Sequence, residues 1–287
     1  MLLISGGLLD LNLQALADTA TAMGVAWVDW RTEKDASPLC HWDLEAHEAT
    51  LPWGADGPCP RGAFVRQDVF ASLSDPRPEV AQRALGWFTA VQGWLLAQGV
   101  RHFNADMSAR ALNKPAALLL ARQHGLTIPA TWVSNDTTRM KARATHSSIA
   151  KPVAGGGLCQ TLEEALAHVD AAYSAMPALI QPRLVAPEIR LFVVGDDAHA
   201  FRVDSPSLDY RAEHDAEVTS VDVPSEVHAL RALMKAMRMD FGAADFKTDP
   251  HTGKLVFLEL NTSPMFARFD MACDGALTRS MVKHLCA

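Results

Sequence analysis

Several features that would place the chain in a large functional class are missing from it. The 287 residues carry 26 Lys and Arg against 33 Asp and Glu, a formal net charge of −7, so no excess of positive charge marks a surface for a nucleic-acid backbone. No apolar run approaches the roughly 20 residues of a membrane span, and the first ten residues lack the basic region of a signal peptide. We therefore expect no nucleic-acid or membrane partner, and a cytoplasmic location.

Motifs for disulfides, zinc and covalent catalysis are also missing. Five cysteines are scattered along the chain with no paired spacing, which indicates reduced thiols and neither a disulfide framework nor a zinc site. No Gly-x-Ser-x-Gly elbow is present, and no histidine stands beside a serine or cysteine in a recognisable nucleophile motif. The sequence therefore gives no sign of a catalytic triad.

What the chain does have is ample material for a core, with 49% apolar residues and a length that suits one large or two to three small domains. At the N-terminus, a strand at 2–5, a helix over 11–23 and a strand at 25–28 predict a β-α-β opening. Gly6 and Gly7 lack the third glycine of a dinucleotide-binding loop and predict a tight turn. Residues 1–105 thus read as a small α/β domain without a visible catalytic set.

The most informative stretch lies near the C-terminus and reads as a β-hairpin. Residues 243–248 and 254–260 are rich in Phe, Val and Leu, and Asp249-Pro-His-Thr-Gly253 between them is typical of a turn. Since side chains alternate faces along a strand, Glu259 and Asn261 point the same way. Apolar neighbours surround Glu259, and a carboxylate in such a strand needs a partner.

A metal site is one interpretation of this hairpin. If Asp245 pairs opposite Phe257, it joins the face of Glu259 as a diagonal neighbour. Two carboxylates and an amide oxygen would then converge, and these are ligands that Mg²⁺ takes while leaving positions for phosphate oxygens. The alternative is a surface hairpin with solvated acids, because a shift of one residue in the register would move Asp245 to the other face.

Two lysines upstream stand where an anion would suit them. Asn113 and Gly125 bound a predicted helix, and Lys114 lies at its N-terminus, where a cation is mildly unfavourable unless an anion is bound nearby. Lys151 lies on a predicted strand that runs into Gly155-Gly-Gly157, which would let backbone amides approach a phosphate. The loop is not a Walker A motif, and a plain flexible loop is the alternative.

In this order the pieces resemble the ATP-grasp superfamily, and most closely its RimK and glutathione-synthetase branch. The resemblance runs from about residue 113 to residue 264, just over half the chain, and each motif is weak alone while the six in order are strong. The motifs are Asn113-Lys114, Lys151 before the glycines, Gln181-Pro-Arg-Leu184, Glu188-Ile-Arg190, Asp245, and Glu259-Leu-Asn261-Thr-Ser-Pro264.

The resemblance implies an α/β (α+β) fold of three parts. These are an N-terminal α/β domain that precedes the ATP-grasp region (1–105), a central lid subdomain (106–183) and a C-terminal subdomain (184–287). ATP would be held between the last two. The resemblance also implies Mg²⁺ as the metal, for which Mn²⁺ can substitute, and residues that contact each part of the nucleotide.

Carried over by position, the implied site has three sets of nucleotide-binding residues and one set of metal ligands. Lys114, Lys151 and the loop Gly155, Gly156 and Gly157 would contact the phosphates; Gln181, Arg183 and Leu184 would meet adenine, largely through backbone atoms; and Glu188 matches the ribose-binding acid, although Asp is more usual in this branch. Asp245, Glu259 and Asn261 would hold magnesium. Arg190, Arg202 and Arg211 are the candidate catalytic residues, since an arginine fork suits carboxylates and phosphates; the alternative is that they are solvated strand ends.

The implied reaction is carboxylate–amine ligation. ATP phosphorylates a carboxylate, an amine attacks the acyl phosphate, and an amide or peptide bond forms on an amino acid, peptide or protein substrate. Such a step needs cations and in-line positioning more than a protein nucleophile. A small-molecule kinase and a non-catalytic ATP-binding protein are the alternatives, and a homodimer is the usual expectation for assembly.

The sequence departs from the RimK pattern in two places. The glycine loop is shorter than in the RimK proteins, which bears on its detailed phosphate contacts. The stretch Asp209-Tyr-Arg211 is instead similar to the Asp-aromatic-Arg stretch of the ATP-grasp enzymes that crosslink ribosomally made peptides through ester or amide bonds. The two groups differ in substrate. The RimK proteins add an amino acid to a protein tail, whereas the crosslinking enzymes join side chains within a peptide.

Overall fold

The computed structural model describes residues 1–33, 36–45, 48–50, 59–154, 158–167, 169, 171–205 and 216–287. The chain forms two compact units. Residues 1–105 together with 265–287 make the first, and residues 106–264 make the second. No helix in the described part of the chain is long and apolar enough to span a bilayer.

The first unit is built on a parallel sheet with the strand order β2-β1-β5-β6. Its strands are β1 (Leu2–Gly7), β2 (Trp27–Thr32), β5 (Gly62–Val65) and β6 (Arg101–His102), with a separate ribbon of β3 (His41–Asp43) and β4 (Glu48–Thr50). Its helices are α1 (Leu11–Ala22), α2 (Val69–Ser74), α3 (Pro78–Ala97) and the two C-terminal helices, here α8 (Ala267–Met271) and α9 (Ala276–Cys286). The predicted β-α-β opening is therefore confirmed.

Tryptophan packing dominates the core of this unit. Trp30 is fully buried and meets Trp87 and Trp94 edge-on, with ring centroids 5.3 and 6.1 Å apart. Leu3 and Val91 belong to the same apolar cluster. Val91 and Trp94 of α3 recur at helical spacing and place this face of the helix in the core.

The turn predicted at Gly6 and Gly7 is wrong, because both residues belong to β1. A side chain at Gly6 would meet the Arg66 carbonyl at 2.8 Å, and one at Gly7 would meet the Asp68 carboxylate. Gly6 also has φ 148°, which favours glycine. The two glycines let the segment after β5 pass close to the end of β1.

The second unit contains two antiparallel sheets, with orders β7-β10-β8-β9 and β13-β12-β11-β14-β15. The first holds β7 (Trp132–Asp136), β8 (Ser148–Pro152), β9 (Gln160–Thr161) and β10 (Tyr173–Pro182). The second holds β11 (Val185–Val194), β12 (Asp197–Asp204), β13 (Glu217–Val221), β14 (Phe241–Thr248) and β15 (Leu255–Asn261). The helices are α4 (Lys114–Gln123), α5 (Thr137–Arg143), α6 (Leu162–Leu166) and α7 (Val227–Ala236), with a 3-10 turn at Ala109–Leu112.

One face of the five-stranded sheet packs on α4 and α7. Leu191, Phe246 and Phe257 from the sheet join Leu118 and Leu230 from the helices in one buried cluster. Val227, Leu230, Leu233 and Met234 of α7 are all buried, as is Met237 directly after the helix. The opposite face of the sheet carries the polar side chains of Arg190 and Asp245 beside the buried Phe192 and Phe201.

The compact units do not follow the three-part division in every respect. The boundary between residues 105 and 106 coincides with the expected one, whereas residues 265–287 pack with the first unit. The three-part division itself stays a prediction.

Candidate functional site

The hairpin of β14 and β15 forms with a register different from the predicted one. Asp245 lies directly opposite Glu259, and Phe246 lies opposite Phe257, so Leu258 is an extra residue in a β-bulge. The expected pairing of Asp245 with Phe257 is wrong. Asp245 and Glu259 nevertheless lie on the same face, as expected, because residues directly opposite each other share a face of the sheet.

The bulge separates the apolar and polar residues of β15. Strict alternation would put Phe257 and Glu259 on the same face. The extra residue reverses the alternation, so Phe257 and Leu260 both join the buried core. Glu259 and Asn261 therefore lie on the other face of the sheet. Phe257 packs edge-on against Phe246 at 5.7 Å.

Asp245 is largely buried within the polar face, with 9% exposure. Arg190 on β11 lies directly opposite it and donates from Nη1 to Oδ1 and Oδ2 at 3.0 and 3.2 Å. Asn261 donates from Nδ2 to Oδ2 at 3.1 Å. Burial raises the pKa of Asp245 to about 6 against the lowering effect of Arg190, and the nearby Glu259 and Glu188 carboxylates add to the rise.

A second ion pair continues the same face along β11 and β14. Glu188 and Arg190 are two residues apart on β11, as are Asp245 and Lys247 on β14. Lys247 Nζ lies 3.0 Å from Glu188 Oε2, with both side chains largely buried. Sequence reasoning missed Lys247, although period-two alternation from Asp245 would have placed it on this face.

Lys114 reaches the same face from the start of α4. Asn113 caps this helix by accepting a hydrogen bond from the Ala116 amide at 3.0 Å, so Lys114 lies in the first turn. Its Nζ lies 3.0 Å from Glu259 Oε2. The lysine that was unfavourable beside a helix N-terminus is thus compensated by a carboxylate from β15.

Lys151 lies near the end of β8, and no ion pair or side-chain hydrogen bond holds it among the residues that the structure describes. Burial lowers the pKa of Lys151. The nearby Cys159 and Glu259 raise this pKa and offset part of the effect, while Lys247 and Lys114 lower it further. An ammonium group that burial destabilises and that adjoins two other lysines would be favoured by an anion.

The end of β10 holds a buried glutamine. Gln181 is 3% exposed and donates from Nε2 to Thr131 Oγ1 at 2.9 Å, while its Oε1 has no hydrogen-bond partner in the described part of the chain. Arg183 and Leu184 follow between β10 and β11. A buried acceptor left without a donor is costly, so this amide suits a polar ligand.

Not every predicted residue joins this set. Arg202 lies opposite Ile189 on the core face of the sheet, half exposed, and pairs with Asp204 at 2.7 Å. The structure therefore does not bring Arg202 together with Arg190. Arg211 and Gly155, Gly156 and Gly157 lie outside the described residues.

The assembled site combines acids and cations in nearly equal number. Glu188, Asp245 and Glu259 face the cations Lys114, Lys151, Arg190 and Lys247. No group of three or more His, Cys, Asp and Glu side chains suited to a metal occurs in the described residues, so the possible metal ligands here are two carboxylates and an amide. Such a set fits a hard cation that takes further oxygens from a bound phosphate.

Comparisons with known proteins identify the fold. No protein-family model and no curated protein matches the chain. The solved structure of the ATP-grasp ligase PsnB complexed with minimal precursor matches with a TM-score of 0.77 and 22% identity, covering 99% of this chain and 98% of that one. The macrocyclase MdnC from Microcystis aeruginosa MRC, bound with precursor peptide MdnA, matches with a TM-score of 0.72 and 17% identity over 100% of both chains.

A ligase with a different kind of substrate has a similar structure. The VanG D-Ala:D-Ser ligase from Enterococcus faecalis matches with a TM-score of 0.64 and 14% identity, covering 99% of this chain and 97% of that one. The chain therefore has the fold of the ATP-grasp ligases. The fold class expected from the sequence is confirmed.

The raised pKa of Asp245 predicts a pH dependence of stability. Because its folded pKa of about 6 exceeds the usual aspartate value of 3.8, the folded state binds this proton more tightly, and stability is lost as the pH rises from about 4 to 6. Relative to Asp245→Asn, the wild type should lose up to about 3 kcal/mol of unfolding free energy over this range, at 1.36 kcal/mol per pKa unit. Urea unfolding at several pH values measures the difference.

Asp249→Asn is the matched control for this experiment. Hydrogen bonding from the His251 amide lowers the pKa of this exposed turn acid, so its contribution is instead lost as the pH falls below about 4. A wild-type minus Asp245→Asn difference that stays constant from pH 4 to 7 would show that burial does not perturb Asp245.

Proposed function

We propose that the chain is an ATP-dependent carboxylate–amine ligase that works through an acyl phosphate and releases ADP and phosphate. The observation that carries the proposal is the convergence of Asp245, Glu259 and Asn261 on one sheet face, next to Lys114 and Lys151. The fold shared with ATP-grasp ligases supports it, as does the match of these five positions to the motifs of the superfamily.

Mg²⁺ would be held by Asp245, Glu259 and Asn261, and Mn²⁺ can take its place. The donor set fits, since Mg²⁺ is usually bound by one or two carboxylates and completes its shell with water and phosphate oxygens. The buried Asp245 with its raised pKa also fits, because a bound cation would stabilise its charged form. When bound, the metal would neutralise charge on the transferred phosphoryl group.

Lys114 and Lys151 would contact the phosphates of ATP. Lys114 pairs with Glu259, so a metal on Glu259 and a phosphate beside Lys114 would replace one ion pair by two. Lys151 gains an anionic partner that the described residues do not supply. The glycines 155–157 would cover the triphosphate, as the resemblance implies.

The base and ribose of the nucleotide would lie beside β10 and β11. Gln181, Arg183 and Leu184 would meet adenine, and the buried Gln181 Oε1 without a donor supports a polar ligand there. Glu188 would bind the ribose hydroxyls. Its pairing with Lys247 holds the carboxylate in place before the nucleotide arrives.

Arg190 is the catalytic arginine that the geometry favours. It lies on the site face beside Asp245, and its guanidinium carbon lies 5.5 Å from the Phe192 ring centroid, within cation–π distance. We assign it to the acyl phosphate or the substrate carboxylate, with Arg211 as the second candidate from the resemblance. Arg202 has no role in this proposal, because it lies on the opposite face.

The substrate is proposed to be a peptide. PsnB is described in complex with precursor peptide PsnA2, and a Chryseobacterium gregarium RiPP-associated ATP-grasp ligase in complex with ADP and a leader and core peptide. The Asp209-Tyr-Arg211 stretch supports the same group of enzymes, which form ester or amide crosslinks. An amino-acid substrate, as in VanG, is the second candidate. The lid at 106–183 and the C-terminal subdomain at 184–287 remain part of the proposal.

Trapping with hydroxylamine tests the reaction. Mg²⁺-ATP is incubated with pooled amino acids, pooled small acids or peptides, and ADP and hydroxamate are both measured. Hydroxamate formed together with ADP is expected, because hydroxylamine captures an acyl phosphate, and the responding pool identifies the carboxylate. ADP without hydroxamate would indicate a kinase, and no ADP with ATP still bound would indicate a non-catalytic binder or a missing peptide.

Glu259→Gln should abolish ligation while the fold persists. The change removes one metal-ligand charge, and we expect a loss of roughly 100-fold or more in kcat, as for removal of a key electrostatic group in other enzymes. Glu217→Gln changes an exposed acid on β13 of the same sheet and should keep full activity. Wild-type turnover in Glu259→Gln, at an unchanged melting temperature, would sink the site assignment.

Lys151→Met should weaken nucleotide binding without lowering stability. A lost charge-assisted hydrogen bond of about 1.5–3 kcal/mol corresponds to a roughly ten- to 100-fold rise in the Kd for ADP. Removing a largely buried ammonium that has no ion pair within the described residues should leave the melting temperature unchanged or higher. Calorimetric titration measures the Kd, with the exposed Lys235→Met as control. An unchanged Kd would contradict the role of Lys151.

A further inference from the structure

The first unit contains a cavity that the proposed reaction does not use. Its volume is about 230 Å³, and it opens where β1, β2 and β5 end. All three strands run parallel, so the cavity lies at the carboxyl ends of the sheet, the edge where open α/β sheets bind ligands. Drug-sized ligands occupy about 300–1,000 Å³, so this cavity suits a group the size of one amino acid.

Leucines form much of the cavity wall. Leu8 and Leu9 directly follow β1, and their side chains are 41% and 71% exposed. Ala71 from α2 adds an apolar contribution from the other side. Two leucines left this exposed favour an apolar ligand that would cover them.

The hydroxyl groups in the cavity are already used within the protein. Thr32 Oγ1 donates to the Gly6 carbonyl at 3.2 Å, and Ser74 Oγ donates to the Ala71 carbonyl at 3.0 Å. Both hydroxyl groups therefore donate within the protein and not to a ligand. Polar recognition in this cavity therefore depends on its charged side chains.

Both charged residues of the lining are acids. Glu33 follows β2, and Asp68 caps α2 by accepting hydrogen bonds from the Phe70 and Ala71 amides with Oδ1. No cation in the described part of the chain forms an ion pair with Glu33 or Asp68, and no Lys or Arg belongs to the lining. Apolar walls with two uncompensated carboxylates are complementary to a hydrophobic cation.

We infer that this cavity binds a hydrophobic primary amine of amino-acid size, with a branched or aromatic side chain against Leu8 and Leu9 and its ammonium group near Glu33 and Asp68. A free amine and the N-terminal residue of a peptide share this chemistry. The inference does not depend on the ligase reaction, because it rests on the first unit alone.

Leucinamide is a direct probe, and N-acetyl-leucinamide is its uncharged match. At pH 6.5 the α-amino group of leucinamide is mostly protonated, given a pKa near 7.7–8.0. The full chain should show saturable calorimetric binding of leucinamide, and at least roughly tenfold weaker binding of the acetylated probe, a difference of about 1.4 kcal/mol. Sodium chloride at about 0.5 M should weaken only the charged probe, since salt screens partly exposed charges.

Substitutions that keep the local structure test the assignment to these residues. Asp68→Asn retains the helix cap, since Asn is as good an N-cap as Asp, and removes the charge. Combined with Glu33→Gln it should make leucinamide bind as weakly as the acetylated probe. Glu79→Gln, an acid in the first turn of α3 outside the cavity, should have no effect. The exposed Ser74→Phe should block both probes at an unchanged melting temperature.

A peptide arm separates the two sources of the amine. Leucyl-alanyl-alaninamide that binds as tightly as leucinamide, or tighter, supports a peptide N-terminus, and binding restricted to leucinamide supports a small free amine. Equal binding of leucinamide and N-acetyl-leucinamide would overturn the inference. So would wild-type affinity in the double variant, or no saturable binding of either probe.

Discussion

The β-bulge at Leu258 determines which side chains of β15 face the site. Every second residue from Leu255 to Asn261 would share a face in a regular strand, which would put Phe257 beside Glu259. The extra residue sends Phe257 and Leu260 into the core and leaves the acid and amide on the opposite face. The pairing of Asp245 with Glu259 and Asn261 depends on this irregularity, in line with the frequent placement of bulges beside functional sites.

The charges on this face are positioned by strands more than by loops. Glu188 and Arg190 on β11, Asp245 and Lys247 on β14, and Glu259 on β15 occupy neighbouring positions of one sheet. Ion pairs between them offset part of the cost of burial, which for isolated charges would be prohibitive. Burial still dominates at Asp245 and Lys151, where it shifts each pKa towards the neutral form. A ligand that brings both a cation and an anion would oppose both shifts, as the proposed function requires.

The sequence was sufficient for the parts of this site that depend on alternation. Glu259 and Asn261 share a face as predicted, and Lys247 could have been found from Asp245 in the same way. The face on which Arg202 lies could also have been predicted, from the length of the turn between β11 and β12. With two residues, Gly195 and Asp196, between β11 and β12, Arg202 must pair with Ile189 and so lie away from Arg190. The bulge could not have been foreseen, because no local residue signals it and it follows from the packing of Phe257 against Phe246.

The cavity of the first unit shows a different limit of sequence reasoning. Its leucines, its capping aspartate and its glutamate come from the ends of three segments that no motif connects. Asp68 is explained locally by the helix that it caps. The cavity differs from an ordinary strand-end turn in the second oxygen of Asp68 and in Glu33, which has no ion pair among the described residues. The chemistry of a ligand in this cavity follows from the polar atoms that form no hydrogen bond within the described part of the protein. Counting those bonds residue by residue is therefore the step by which a structure adds functional information to a stretch whose sequence has no motif.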